Sequence, residues 1–241
     1  ILLTFKRIYG FFPSFTHPKT LNEKLQWKKL YDTQKFYTMC ADKYAVREYI
    51  AQELGKKYLT PLLYETTDPD TIDFSKLPKS FVVKGNHGGG MTYFVYDKDK
   101  EDLEHIRNVC KKWMHNDFYR LAREWQYKDI KRRILIEEML LDDTHEIPAD
   151  FKFHCFHGKL QFIQVDTARF GNHQRTMYYP DWTVGHFNWC EKEEFGKDPA
   201  NDINPNIKKP KRYNEMVTFS EQLAEDFDYI RVDFYDIKGE I

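Results

Sequence analysis

Phe81-Val82-Val83-Lys84-Gly85-Asn86-His87-Gly88-Gly89-Gly90 is the stretch on which the reading of this chain turns. A β-rich run leads into it, and a second one, Thr92-Tyr93-Phe94-Val95-Tyr96, leads out. Three consecutive glycines between two strands make a backbone that can approach a ligand closely and aim several N–H groups at it. No G-K-[S/T] closes the loop, so it is not a Walker A loop. A strand rather than a helix follows, so it is a poor dinucleotide fingerprint. Strand, glycine flap, strand is the arrangement that covers nucleotide phosphates in kinase-like sites, with Lys84 placed to neutralise their charge. Taken alone, the triplet also suits a flexible hairpin with an exposed lysine.

Upstream of the flap the pattern is mostly helical. Residues 1–40 are broken by Pro13 and Pro18. Thr20-Leu21-Asn22-Glu23 then reads as a capping box, because Glu23 stands three residues after Thr20. A second helix is expected from Asp42 to Leu54, ended by Gly55. Tyr58 to Leu63 is a short connecting segment before the turn Asp68-Pro69-Asp70. Downstream, Leu103 to Lys128 has helical spacing and Arg133 to Leu140 reads as a strand. Phe151–Phe156 and Leu160–Val165 form a hairpin around His157-Gly158. The Gly-, Pro- and Asn-rich stretch 170–213 is expected to be irregular, followed by a helix from Tyr213 to Asp226 and a strand from Tyr229 to Tyr235. Helices interspersed with hairpins point to an α+β fold rather than a doubly wound parallel sheet.

Composition narrows the function. The 241 residues carry 37 Lys+Arg against 38 Asp+Glu, a formal net charge of -1, which argues against a general nucleic-acid coat. Hydrophobic residues at 41% and aromatics at 17% are enough to build a core. Mean hydropathy is -0.73, and no stretch reaches the apolar run of about 18 residues that a membrane span needs, so the expectation is a soluble, cytoplasmic protein. Cys40, Cys110, Cys155 and Cys190 lie far apart, form no C-x-x-C pair and read as buried free thiols. The chain begins at Ile1 rather than Met and stops at Ile241 inside strand-like sequence. Both ends read as cuts through a longer protein, which leaves a targeting peptide open.

Three further segments carry chemistry. In Arg133-Ile134-Leu135-Ile136-Glu137-Glu138-Met139-Leu140 an apolar strand ends in carboxylates suited to an adenine amine or a ribose. In Asp150-Phe151-Lys152 and Arg231-Val232-Asp233 a cation and a carboxylate share one strand face. Facing a cleft, the second pair suits Mg²⁺ at Asp233 and a developing negative charge at Arg231. His154, His157, His173 and His186 lack metal-ligand spacing. His87, inside the flap, suits either a phosphate contact or a brace for the loop. Lys208-Lys209-Pro210-Lys211-Arg212 reads as a solvated loop or a patch steering an anionic acceptor.

Taken together, these segments resemble the ATP-grasp superfamily of carboxylate–amine ligases, and within it the TupA-like branch associated with polysaccharide and teichuronopeptide synthesis. The likeness also rests on Leu21-Asn22-Glu23-Lys24-Leu25-Gln26-Trp27-Lys28, Ala41-Asp42-Lys43-Tyr44, Glu124-Trp125-Gln126-Tyr127, Phe153 with Cys155-Phe156, and Phe234-Tyr235. The resemblance implies two α+β lobes with the nucleotide between them, preceded by a helical N-terminal segment. The divisions would be 1–40, a first lobe with the flap at 41–132, and a second lobe at 133–241, truncated at its C-terminal end. It further implies that Lys43 and Lys84 contact ATP phosphates under the flap of Gly88, Gly89 and Gly90, with His87 counted among the nucleotide contacts. Glu137, Glu138 and Leu140 would line the adenine, and Asp150 and Lys152 would face ribose or phosphates. Asp233 would bind Mg²⁺ beside Arg231.

In the family a second metal-binding carboxylate lies on the strand after Arg-x-Asp. This sequence stops before that strand, and Glu240, in an expected turn, is no substitute. The implied reaction forms an amide from an amine donor and a carboxylate-bearing acceptor, such as one with a uronic acid, through an acyl phosphate. The alternatives are a glycosyltransferase using a nucleotide-sugar and a non-catalytic nucleotide-binding module. For the former, the D-x-D at Asp68-Pro69-Asp70 is poorly placed, in a turn with proline inside it.

Overall fold

The computed structural model describes residues 2–142, 144–168, 173–187 and 204–241. Its elements are α1 (Leu2–Tyr9), α2 (Leu21–Tyr31), α3 (Lys35–Ala41), α4 (Val46–Glu53), β1 (Leu62–Thr66), β2 (Phe81–Gly85) and β3 (Thr92–Val95). They continue with α5 (Leu103–His115), α6 (Phe118–Ala122), β4 (Ile134–Glu138), β5 (Asp150–Phe156), β6 (Lys159–Thr167), β7 (Gln174–Tyr178), α7 (Tyr213–Leu223) and β8 (Tyr229–Tyr235). The fold is α+β, with helices ahead of the first sheet. The chain divides into two compact units, Ile1–Met139 and Leu140–Ile241.

In the first unit, four antiparallel strands run in the order β1-β4-β2-β3. Phe81 and Val83 of β2, Ile134 and Ile136 of β4 and Val95 of β3 are fully buried against Ile106 and Cys110 of α5. Those two lie four residues apart on one helical face. Each such aliphatic side chain contributes about 1.5–3 kcal/mol by leaving water. Asp102 starts α5 by accepting from the N–H groups of Glu104 and His105. The expected capping box is present at α2: Thr20 accepts from Glu23 N–H at 3.2 Å, and the Glu23 carboxylate accepts in return from Thr20 N–H at 2.9 Å.

In the second unit the order is β7-β6-β5-β8, again antiparallel. The period of two sorts its side chains sharply. Phe151, Phe153 and Cys155 of β5, Ile163 and Val165 of β6 and Phe234 of β8 pack with Tyr213 and Met216 of α7. The opposite face carries Asp150, Lys152, His154, Gln164, Asp166, Arg175, Arg231 and Asp233, as the pairing register dictates.

Several expectations are corrected. β4 lies between β1 and β2, so the division falls after Met139 rather than at 132/133, and the helical segment 1–40 belongs to the first unit. The Tyr58–Leu63 connection runs into a strand, β1, and the stretch 170–213 contains β7. Asp42 does not open a helix. It ends α3, its side chain is taken by Tyr44 N–H and Asn86 Nδ2, and α4 starts at Val46. The Leu103–Lys128 pattern is broken at Asn116, because Asp117 turns its carboxylate to Arg120 N–H and starts a new short helix.

Cys40, Cys110 and Cys155 are free thiols. Cys110 and Cys155 are buried, whereas Cys40 is only partly so. Burial pushes the Cys110 thiol up to about 12. Cys190 lies outside the described residues. Among the described residues, no helix is long and apolar enough to cross a membrane.

Candidate nucleotide and substrate sites

The glycine turn joins β2 to β3 as a hairpin. Its first half is firmly braced. Asn86 is fully buried: its Nδ2 donates to Asp42 Oδ1 at 2.7 Å and to the Lys131 carbonyl at 3.0 Å, and its Oδ1 accepts from Arg133 N–H at 2.7 Å. His87 is buried as well, with Nε2 3.0 Å from the Trp113 carbonyl and Nδ1 3.2 Å from Asn86 Oδ1. The Trp113 carbonyl can only accept, so Nε2–H donates to it, and this bond suits His87 to bracing the turn, one of the two roles expected for it. Gly88 presses on the Phe118 ring, where an added Cβ would come within 2.7 Å. Gly89 and Gly90 are exposed, and Gly90 takes the left-handed φ of +73° that favours glycine.

Two cations meet at this turn. Lys43 Nζ donates to the Gly85 carbonyl at 3.2 Å and to that of Gly88. Burial and the neighbouring charge of Lys84 lower its pKa to about 8. Lys84 Nζ pairs at 2.5 Å with Oε2 of buried Glu137, whose Oε1 takes Arg47 Nη1 at 3.1 Å. Arg47 and Asn86 were not among the expected site residues. Their role depends on pairings 90 and 47 residues away along the chain, which no local pattern announces.

Glu137 and Glu138 close β4, the first buried and the second exposed. β4 is flanked on both sides, by β1 and β2, with Glu137 paired to Leu62 and Val82 and Glu138 to Phe81. Glu138 N–H donates to the Pro61 carbonyl at 3.0 Å. Main chain free of the ladder begins only at Met139 and Leu140.

On the polar face of the second sheet, Lys152 Nζ bonds Asp150 at 2.5 Å and Asp166 at 2.6 Å, and all three residues are buried. Asp166 also accepts from Arg175 Nε at 2.6 Å and from Gln164 Nε2 at 2.9 Å. Burial works to raise the Asp166 pKa, but the bonds from Arg175 and Lys152 prevail and hold it well below the usual carboxylate range. On β8, Arg231 grips Asp233 side-on through Nε and Nη2, at 2.6 and 2.8 Å. His154 stacks on Phe162 with ring centroids 4.2 Å apart. Burial and the nearby charge of Arg231 drop its pKa to about 3, so it is neutral.

Asp166, Gln164 and Arg175 escaped the sequence reading. The signal for the first two was present, since Gln164 and Asp166 interrupt an apolar strand at a spacing of two and so share a face. Of the basic run, Arg212 is tied to Glu215 and Glu240, and Lys209 lies 4.1 Å from the Tyr213 ring centroid. Among the described residues no cluster of three or more His, Cys, Asp or Glu forms a metal cage.

A family model described as TupA-like ATPgrasp matches residues 23–241. No curated protein matches the chain. Among solved structures it is similar to a D-alanine–D-alanine ligase from Bacillus anthracis, at 20% identity over 83% of this chain and 53% of that one, with a TM-score of 0.47. It is also similar to the ATP-grasp ligase PsnB complexed with minimal precursor, at 10% identity over 83% and 48%, with a TM-score of 0.40. The chain thus spans about half the length of these structures.

Proposed function

Because this chain belongs to the TupA-like ATP-grasp family, we propose that it is an ATP- and Mg²⁺-dependent carboxylate–amine ligase of cell-surface polysaccharide or teichuronopeptide synthesis, working in the cytoplasm where ATP is supplied. The supporting observation is the convergence of Lys43 and Lys84 on a braced glycine turn, a cationic seat for a polyphosphate. In this reading Gly88, Gly89 and Gly90 cover the phosphates, Leu140 meets the adenine, and Lys152 with Asp150 faces ribose or phosphate. The γ-phosphoryl group passes to an acceptor carboxylate, giving ADP and an acyl phosphate. An amine then displaces phosphate to leave an amide. Arg231 faces the oxyanion that develops in the second step. Asp233, a hard oxygen donor that is partly exposed, fits one position on Mg²⁺, an ion that commonly takes one or two carboxylates and fills its shell from nucleotide phosphates and water. There the ion would neutralise phosphate charge.

The test is thermal stabilisation by ATP–Mg²⁺ compared with nucleotide-sugars. The ligase reading expects the melting temperature to rise with ATP–Mg²⁺ and to stay put with a nucleotide-sugar. The reverse result would favour a glycosyltransferase.

A further inference from the structure

Asp166 is 2% exposed, and the groups bonded to its two oxygens are the Lys152 ammonium, the Gln164 amide and the Arg175 guanidinium, with His173 Nε2 at 3.3 Å. A carboxylate so committed has little capacity left for a substrate. What it does is fix two cations side by side, because Lys152 Nζ and the Arg175 fork share its oxygens.

Among the described residues, Arg175 is held by one edge. Nε and Nη2 bond Asp166 at 2.6 and 3.2 Å, Nη1 makes no hydrogen bond among the described residues, and the side chain is 24% exposed. A planar guanidinium fixed at one edge presents the other for bidentate capture of a second oxyanion.

We propose that Arg175 binds the carboxylate of the acceptor and that Asp166 is the positioning residue that holds the Arg175 fork for it. The proposal rests on the ligase reading above. Charge balance favours a singly charged carboxylate at Arg175. Asp150, Asp166 and Asp233 already offset Lys152, Arg175 and Arg231 on this face, so a monoanion adds far less repulsion. Lys43, bonded to main-chain carbonyls rather than to a carboxylate, sits at the glycine turn of the other unit.

The experiment measures two affinities by calorimetry on the full chain. One is for AMP-PNP–Mg²⁺. The other is for acetate and D-glucuronate with that nucleotide saturating, and glucose serves as the uncharged control. Wild type is expected to bind the carboxylates and not glucose. Arg175→Gln should weaken carboxylate binding about 10-fold or more while nucleotide affinity stays within about twofold. Arg175→Lys, which leaves Asp166 a cation, should melt like wild type yet recover only part of the binding, because it lacks the fork. Asp166→Asn should weaken carboxylate binding several-fold more than nucleotide binding, which it touches only through Lys152, and Asp166→Glu should restore part of it, a split that a purely structural role would not give.

Unchanged carboxylate affinity in Arg175→Gln would overturn the proposal. So would an equal loss of nucleotide affinity, which would make Arg175 a phosphate contact, or failure of wild type to bind either carboxylate at millimolar concentration. Failure of wild type to bind AMP-PNP–Mg²⁺ is a distinct result. It would sink the ligase reading first, and the proposal with it.

Discussion

Lys43 shows how a single residue can both build a site and report on it. Its ammonium supports the glycine turn from the Gly85 and Gly88 carbonyls, and its pKa lies at about 8 because it is buried beside Lys84. A polyphosphate placed near it favours the charged form and raises that pKa. Between the free and bound values the complex therefore holds more protons than the free protein. At pH 8, ATP binding should take up about half a proton, and the uptake should vanish toward pH 6, where Lys43 is already charged. Calorimetry in buffers of different ionisation enthalpy measures it. Lys43→Arg, charged at every accessible pH, should bind ATP with no uptake at pH 8. Uptake that persists in that variant would assign the proton to another group and remove Lys43 from the phosphates.

At the scale of the element, the hairpin β2–β3 owes its shape to two different glycine requirements and one apparent redundancy. Gly88 is needed for space against Phe118, Gly90 for its left-handed φ, whereas an added Cβ at Gly89 would meet Phe118 at an ordinary 3.6 Å. Gly88→Ala should therefore cost about 1–3 kcal/mol by overpacking and weaken ATP binding. Gly89→Ala, with no clash to relieve, should leave stability within about 1 kcal/mol of wild type. Denaturant melts of the two variants decide it, and equal losses would mean that the Phe118 contact does not set the turn.

This hairpin, the β5–β6 hairpin, α2 with its cap and β8 were legible in the sequence because each is specified by neighbouring residues: a β run, a turn signal, a capping box. β1 and β7 were not. Leu62-Leu63-Tyr64-Glu65-Thr66 acquires its strand character from pairing with β4, about 70 residues on, and β7 from lying beside β6 amid turn-forming residues. The site divides in the same way. Lys84, Lys43, Asp150, Lys152, Arg231 and Asp233 stand in local motifs, and the structure places all but Lys43 in ion pairs and Lys43 beside Lys84 at the glycine turn. Arg175 rides on the strand that was missed, and the partners of Asn86 and Glu137 exist only once distant segments meet.

At the scale of the whole molecule, each unit has its own sheet and core, and each ties down a buried carboxylate with donors: Glu23 in the first, Asp166 in the second. The near-zero net charge conceals this dependence on ionised carboxylates. Glu23 is the clearer case, since its partners are mostly main-chain N–H groups that cannot titrate. Ser14, Thr20 and Lys19 donate to it at 2.9, 2.9 and 3.0 Å, which lowers its pKa from 4.5 to about 2. A carboxyl whose folded pKa lies below its unfolded one contributes stability above the unfolded value and loses it as pH falls through the folded one. Wild type should thus lose the Glu23 contribution between about pH 5 and about pH 2. Glu23→Gln has one oxygen fewer to accept these bonds and gains nothing from ionisation. It should melt below wild type near pH 7, and the gap should narrow steadily toward about pH 3, where wild type itself becomes protonated in the unfolded state. Thermal melts of both proteins across that range test the sign. A gap that stays constant with pH would show that Glu23 anchors the Ser14–Thr20 loop through shape rather than charge.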